Sequence, residues 1–183
     1  AVVKADAYGH GLEAVAKAAI SAGASMVGVA LLEEAIKLRE TGFTEPILAW
    51  LVQPGSDYKS AIDLDIELAA GSIAALHEIQ EAATDKKARV HVELDTGMTR
   101  GGFLGEWSQL TSADLAGLEI VGIFSHFARA DEPGEIQNLA QLNRFNEMTS
   151  VLEGLGVKNP IRHLSNSAAT LTNSAAAFDL VRT

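Results

Sequence analysis

The sequence predicts an α/β fold: an eight-stranded parallel (β/α)8 barrel of the TIM type, truncated at both ends and forming one domain over residues 1–183. Three observations carry that expectation. Short β-rich runs alternate with longer amphipathic segments, no Asn-Gly type hairpin turn joins successive runs, and the runs number about eight.

Val2 to Ala5 is apolar apart from its lysine and reads as the first strand. Gly11 to Ala22 has helical spacing of apolar residues and stops at Gly23, a residue suited to a left-handed C-cap. Met26 to Ala30 reads as a second strand, and Leu32 to Glu40 as a helix closed before Gly42. Pro46 to Trp50 and Ile66 to Ala70 follow as strands. Gly71-Ser72 then punctuates the start of a helix over Ile73 to Ala83. Val90 to Thr96 is the fifth strand, and the irregular stretch Glu106 to Glu119 reads as an insertion after it. Ile120 to Phe127, the long helical run Ile136 to Leu155, Ile161 to Asn166 and Phe178 to Arg182 complete the alternation. Barrels of this type take about 200 to 250 residues. Both ends of this 183-residue chain lie inside apolar runs, so a fragment of a longer polypeptide is expected.

With 48% hydrophobic and 21% charged residues, the chain is of globular rather than disordered type. Lys+Arg 14 against Asp+Glu 24 gives a net charge of −10 with the positive residues scattered, which argues against a nucleic-acid partner. No apolar stretch approaches the roughly 20 residues of a spanning helix, so no membrane segment is expected. The absence of cysteine excludes disulfide scaffolds, thiol catalysis and thiolate metal sites, and it fits a cytoplasmic location. His10 lies between glycines without a second ligand nearby, so no metal is expected there.

In a parallel barrel, active groups sit at the carboxyl ends of strands. Lys4 stands there, between apolar neighbours, where a desolvated ammonium must be neutralised, paired or used covalently. An ion-paired structural lysine is the plain alternative. Near the other end, Arg162 to Ala169 runs from a strand into an Ala-rich helix, with Asn166 and Ser167 as cap residues beside free N–H groups that suit an anion. A helix cap explains Ser167 equally, but it does not explain Lys4. A strand-end amine together with a phosphate cradle suggests pyridoxal phosphate, whose aldehyde needs the amine and whose phosphate needs the donors.

Over nearly its whole length the sequence resembles the alanine racemase family, specifically its pyridoxal-phosphate barrel domain. The lysine signature is matched by Ala1-Val2-Val3-Lys4-Ala5-Asp6-Ala7-Tyr8-Gly9-His10-Gly11. Further matches are His91 to Arg100, Ser125 to Glu132, His163 to Ala169 and Asp179 to Arg182. The resemblance implies that Lys4 holds the cofactor covalently and acts as base on one face of the substrate Cα. It places Tyr8 and Ser167, with Asn166 beside it, at the cofactor phosphate, and His126 beside the pyridine ring. Arg100 addresses the cofactor phenolate and the substrate carboxylate, and Arg182 faces the pyridine nitrogen. A guanidinium cannot hand the ring a proton, so the ring is a weaker electron sink and proton exchange at Cα is what remains. His126 as an ordinary core histidine and Tyr8 as a loop cap stay open as alternatives. His10 and His91 are assigned no role, and Asp179 is not expected to pair with Arg182.

Glu93 departs from the family, many of whose members carry a carbamylated lysine there that positions the arginine matching Arg100. His91, Glu93 and Asp95 share one strand face, so Glu93 is expected to point inward and replace the carbamate as the partner of Arg100. The family's second base is a tyrosine on a C-terminal β-domain of the partner subunit of a homodimer. That domain is not in this sequence, so weak cofactor binding and poor turnover by the isolated chain are expected. The implied role is interconversion of L-alanine and D-alanine, supplying D-alanine for peptidoglycan, with serine and lysine as other substrates of related barrels. Two rivals stand beside it. An NAD-dependent dehydrogenase would use Gly9-His10-Gly11-Leu12-Glu13-Ala14 and Glu33 as a dinucleotide fingerprint, at the cost of leaving Lys4 unexplained. A non-catalytic pyridoxal-phosphate carrier should begin and finish with its barrel sealed.

Overall fold

The structure is a computed structural model that describes residues 1–183. In chain order its elements are α1 (Lys4–Gly9), α2 (Leu12–Ser21), β1 (Val27–Val29), α3 (Leu32–Glu40), β2 (Ile47–Ala49), α4 (Tyr58–Asp63), β3 (Ile66–Ala70), α5 (Ile73–Ala82), β4 (Ala88–Glu93), α6 (Trp107–Leu110), β5 (Leu118–Phe124), α7 (Ile136–Gly154), β6 (Ile161–His163) and α8 (Ser167–Thr172), followed by a 3-10 turn at Ser174–Ala176. The strands form one sheet in the order β1-β2-β3-β4-β5-β6, and the registered pairs β1–β2, β2–β3 and β5–β6 are parallel. The fold is therefore α/β with a parallel sheet, as the alternation predicts. No helix is long and apolar enough to cross a membrane.

Six strands form, not the expected eight. The first expected strand, Val2 to Ala5, pairs with β1 only through Ala1–Val3: Gly28 N–H donates to Ala1 O at 2.8 Å and Val3 N–H to Gly28 O at 2.9 Å. Extension then stops, because Ala5 to Tyr8 all take positive φ between 50° and 55°. The last expected strand, Phe178 to Arg182, is broken at its start by Phe178 with φ 46°. The Asp179 N–H to Arg162 O and Arg182 N–H to Ser165 O bonds anchor it without forming a ladder.

The chain forms two compact units. The first comprises Ala1–Ala70, Ala74–Val90 and Leu115–Glu119. In it Val27, Ile47 and Ile66 lie in one register, as do Val29, Ala49 and Leu68, and every residue of β1, β2 and β3 is buried. Continuous apolar runs are what a parallel strand covered on both faces requires. Gly28 is needed in this layer because a Cβ there would lie 2.2 Å from Trp50 Cζ3. Glu67 is the buried charge of β3, and Arg89 covers it with bonds from Nε at 3.0 Å and Nη2 at 2.6 Å.

The second unit comprises Gly71–Ile73, His91–Asp114 and Ile120–Thr183. Phe103, Ile123, Phe145 and Leu164 are fully buried in it, and Phe145 packs on Phe178 with ring centroids 5.1 Å apart. Its strands β5 and β6 pair Gly122 with Ile161 and Phe124 with His163.

Candidate functional site

In the first unit Lys4 follows directly on the paired Ala1–Val3 segment and opens a left-handed turn. Each non-glycine residue in that conformation costs roughly 1–2 kcal/mol, so Ala5 to Tyr8 together store on the order of 4–8 kcal/mol. Hydrogen bonds over-determine the turn. Ala7 N–H donates to Val3 O, Gly11 N–H to Asp6 O, and Leu12 N–H to Asp6 Oδ1 at 2.8 Å. Glu34 clamps its first peptide: Oε1 accepts the Ala5 N–H, while Oε2 accepts the Ala30 and Leu31 N–H groups at 3.0 Å each. Lys4 is thereby held half-buried, with Nζ 6.0 Å from the centroid of the Tyr8 ring, which is 72% exposed. Gly9 and Gly11 complete the turn with φ 86° and 94°, and Gly11 leads into α2. The dinucleotide pattern thus follows a left-handed turn instead of the strand end its mechanism requires.

In the second unit Arg182 is the hub. Its Nη1 donates to His163 O at 2.9 Å and lies 3.0 Å from His163 Nδ1. Its Nη2 donates to Ser125 O at 2.7 Å and Leu164 O at 3.2 Å, and lies 3.2 Å from His126 Nδ1. The Nε–H is the donor left without a protein acceptor. Burial pulls the guanidinium down to about 10, with Glu93 raising it and Arg100 lowering it further. Asp179 pairs with Arg162 at 3.0 Å and not with Arg182, a partner that the sequence reading did not name.

Glu93 points into the same region. Burial lifts its carboxyl above the ordinary carboxylate value, against the pull of Arg100 first and Arg182 second, while Asp95 adds to the rise. Two glycines make its seat: a Cβ on Gly71 or Gly101 would come within 3.1 or 3.3 Å of Oε2. Arg100 is exposed and acts on Glu93 through space, without a direct ion pair. The turn that carries Arg100 is fixed by Asp95 Oδ1, which accepts Gly97 N–H at 2.9 Å and Thr99 N–H at 3.0 Å. Asn166 caps α8, its Oδ1 accepting Ala169 N–H at 3.0 Å, and Ser167 stands exposed in the first turn of that helix.

Three residues to which sequence reasoning gave no role are built into these clusters. Glu34 is one. His163 and His91 are the others, joined Nε2 to Nδ1 at 2.7 Å. A period-two count from Glu93 to His91 was the available signal for the last, since both face the Arg182 side.

Residues 1–183 match the family described as alanine racemase, N-terminal domain. The alanine racemase of Thermobifida fusca is 46% identical over 189 residues, covering 99% of this chain and 50% of the relative. That of Frankia casuarinae is 45% identical over 190 residues, covering 100% and 50%. Among solved structures, alanine racemase from the D-cycloserine producer Streptomyces lavendulae superposes with a TM-score of 0.96 at 41% identity, and that of Streptomyces coelicolor A3(2) with 0.95 at 42%. Each is covered over 50% and 51% of its length, respectively, by the whole of this chain. The chain spans about half the length of the relatives it matches, and over that span it belongs to the alanine racemase N-terminal domain family.

Proposed function

We propose that this chain is the pyridoxal-phosphate-binding part of a cytoplasmic, homodimeric enzyme that interconverts L-alanine and D-alanine, a source of D-alanine for peptidoglycan. The observation that carries the reading is the guanidinium of Arg182, whose Nη groups are saturated by protein while its Nε–H is kept for an acceptor from outside. A pyridine nitrogen without a proton is such an acceptor. The half-buried amine of Lys4, which no carboxylate pairs, suits the aldehyde.

When bound, pyridoxal phosphate supplies an aldehyde that captures the amino acid and an electron sink that acidifies its Cα–H. Lys4 holds the cofactor and moves a proton on one face of that carbon. Tyr8, Ser167 and the cap formed by Asn166 serve the phosphate. His126 would stand beside the ring, its Nδ1 facing Arg182 Nη2. Arg182, a donor that stays protonated, orients the ring nitrogen without protonating it. Arg100 takes the substrate carboxylate, and Glu93 sets the local charge around Arg100 and Arg182. A base on the opposite face, supplied by a further domain of the partner subunit, completes racemisation, so the 183 residues alone turn over poorly.

The test is borohydride reduction after mixing with pyridoxal phosphate, followed by peptide mass mapping. A pyridoxyl adduct on Lys4 is expected. An adduct confined to other lysines, or none, overturns the reading.

A further inference from the structure

Arg182 presents only donors, and that single fact propagates through three histidines. His163 Nδ1, 3.0 Å from Nη1, must accept, so the His163 proton is on Nε2. His163 Nε2 is 2.7 Å from His91 Nδ1, which must therefore accept in turn, leaving the His91 proton on its own Nε2. His126 Nδ1, facing Nη2, is fixed as an acceptor by the same reasoning.

The inner pair has a built seat. His91 and His163 are both fully buried, and their rings meet edge to face with centroids 4.9 Å apart. Phe124 stacks on His163 at 5.0 Å and 6°. Gly122 of β5 clears the space for His91, because a Cβ at that position would fall 2.0 Å from His91 Nδ1. A glycine inside a strand marks such a close approach.

We infer that His91 is a positioning residue: by accepting the His163 Nε2–H it locks the His163 ring with Nδ1 toward Arg182, and so holds the guanidinium with its Nε–H open. A half-turn of the His163 ring would put a carbon where Nδ1 now meets Nη1. Anchoring the opposite nitrogen on His91 prevents that half-turn. The inference deepens the reading of Arg182 as the partner of a ring nitrogen and rests on it for its catalytic meaning, though the relay itself lies wholly in this chain.

Ring ¹⁵N spectra of the full chain without cofactor test it. The parent is expected to show His163 and His91 each protonated on Nε2. Leaving the buried His163 N–H without an acceptor shifts its equilibrium by roughly ten- to hundredfold. His91→Leu therefore mixes the His163 tautomers and speeds Arg182 N–H exchange at least about tenfold. His91→Asn, whose Oδ1 stands near the Nδ1 position and accepts, restores both. The inference is overturned by a parent His163 protonated on Nδ1, by a His91→Leu spectrum equal to the parent, or by His91→Asn failing as badly as His91→Leu. Should His91→Leu not fold, the parent tautomers and His91→Asn decide. Capture of pyridoxal phosphate by Lys4, followed separately, reports on the functional reading and not on the relay.

Discussion

Glu93 shows how much one side chain can balance. Burial pushes its carboxyl toward neutrality while two arginines favour the charge, and Gly71 and Gly101 leave it room to stay. Glu93→Gln keeps the shape and removes the charge. It is expected to weaken pyridoxal phosphate binding by about 1 kcal/mol, near fivefold, a value typical of incompletely buried pairs. Absorbance titration of both proteins measures this, and equal affinities would end the role assigned to Glu93. At this scale the sequence was legible where a residue type clashed with its local setting. Lys4 in an apolar run is such a clash. His163 was not legible, because its partner His91 lies 72 residues away and only the pairing of distant strands brings the rings together.

Among the elements, α3 and β3 occupy the ranges their periodicity predicts, Leu32–Glu40 and Ile66–Ala70. Their patterns are long enough, or apolar enough, to leave no competing register. The segments α1, α4 and α6 run only six, six and four residues, too few for a period to show. The left-handed turn was hidden further, since nothing in Ala5-Asp6-Ala7-Tyr8 except the aspartate favours that conformation. What sustains it is tertiary, and Glu34 is the main support. Glu34→Ala removes an acceptor shared by three backbone N–H groups and is expected to cost about 2 kcal/mol in urea unfolding. Glu33→Ala, one position away on the exposed face, should stay within about 0.5 kcal/mol. Equal effects would show that the clamp carries no weight.

For the whole molecule, the pH dependence of stability follows from buried ionisable groups. Burial, then His91 and Arg182, hold His163 well below the ordinary histidine value of 6.5. Below that pH the unfolded chain takes up a proton that the folded chain refuses. The contribution of His163 is therefore present above about 6.5 and is lost as pH falls, at up to about 1.4 kcal/mol per pH unit. Glu93 acts with the opposite sign: its contribution is full below the ordinary carboxylate value and is lost as pH rises from there through its raised folded value. Urea midpoints are expected to fall between pH 7 and 5.5, and to fall less in His163→Asn. Parallel slopes for the two proteins would remove His163 as the cause. One feature reaches beyond energetics. The dihedrals of residues 5 to 8, with φ of 50–55° and ψ of 39–47°, are the mirror image of an ordinary helical turn. They are the geometry a D-amino acid adopts at rest, so a semisynthetic chain bearing D-alanine at the exposed position 5 relaxes the backbone behind Lys4, its methyl turned to the former Cα–H direction, whereas at position 7 the same swap would move a buried methyl. Among encoded residues only glycine offers comparable ease, and it does so by surrendering the methyl group.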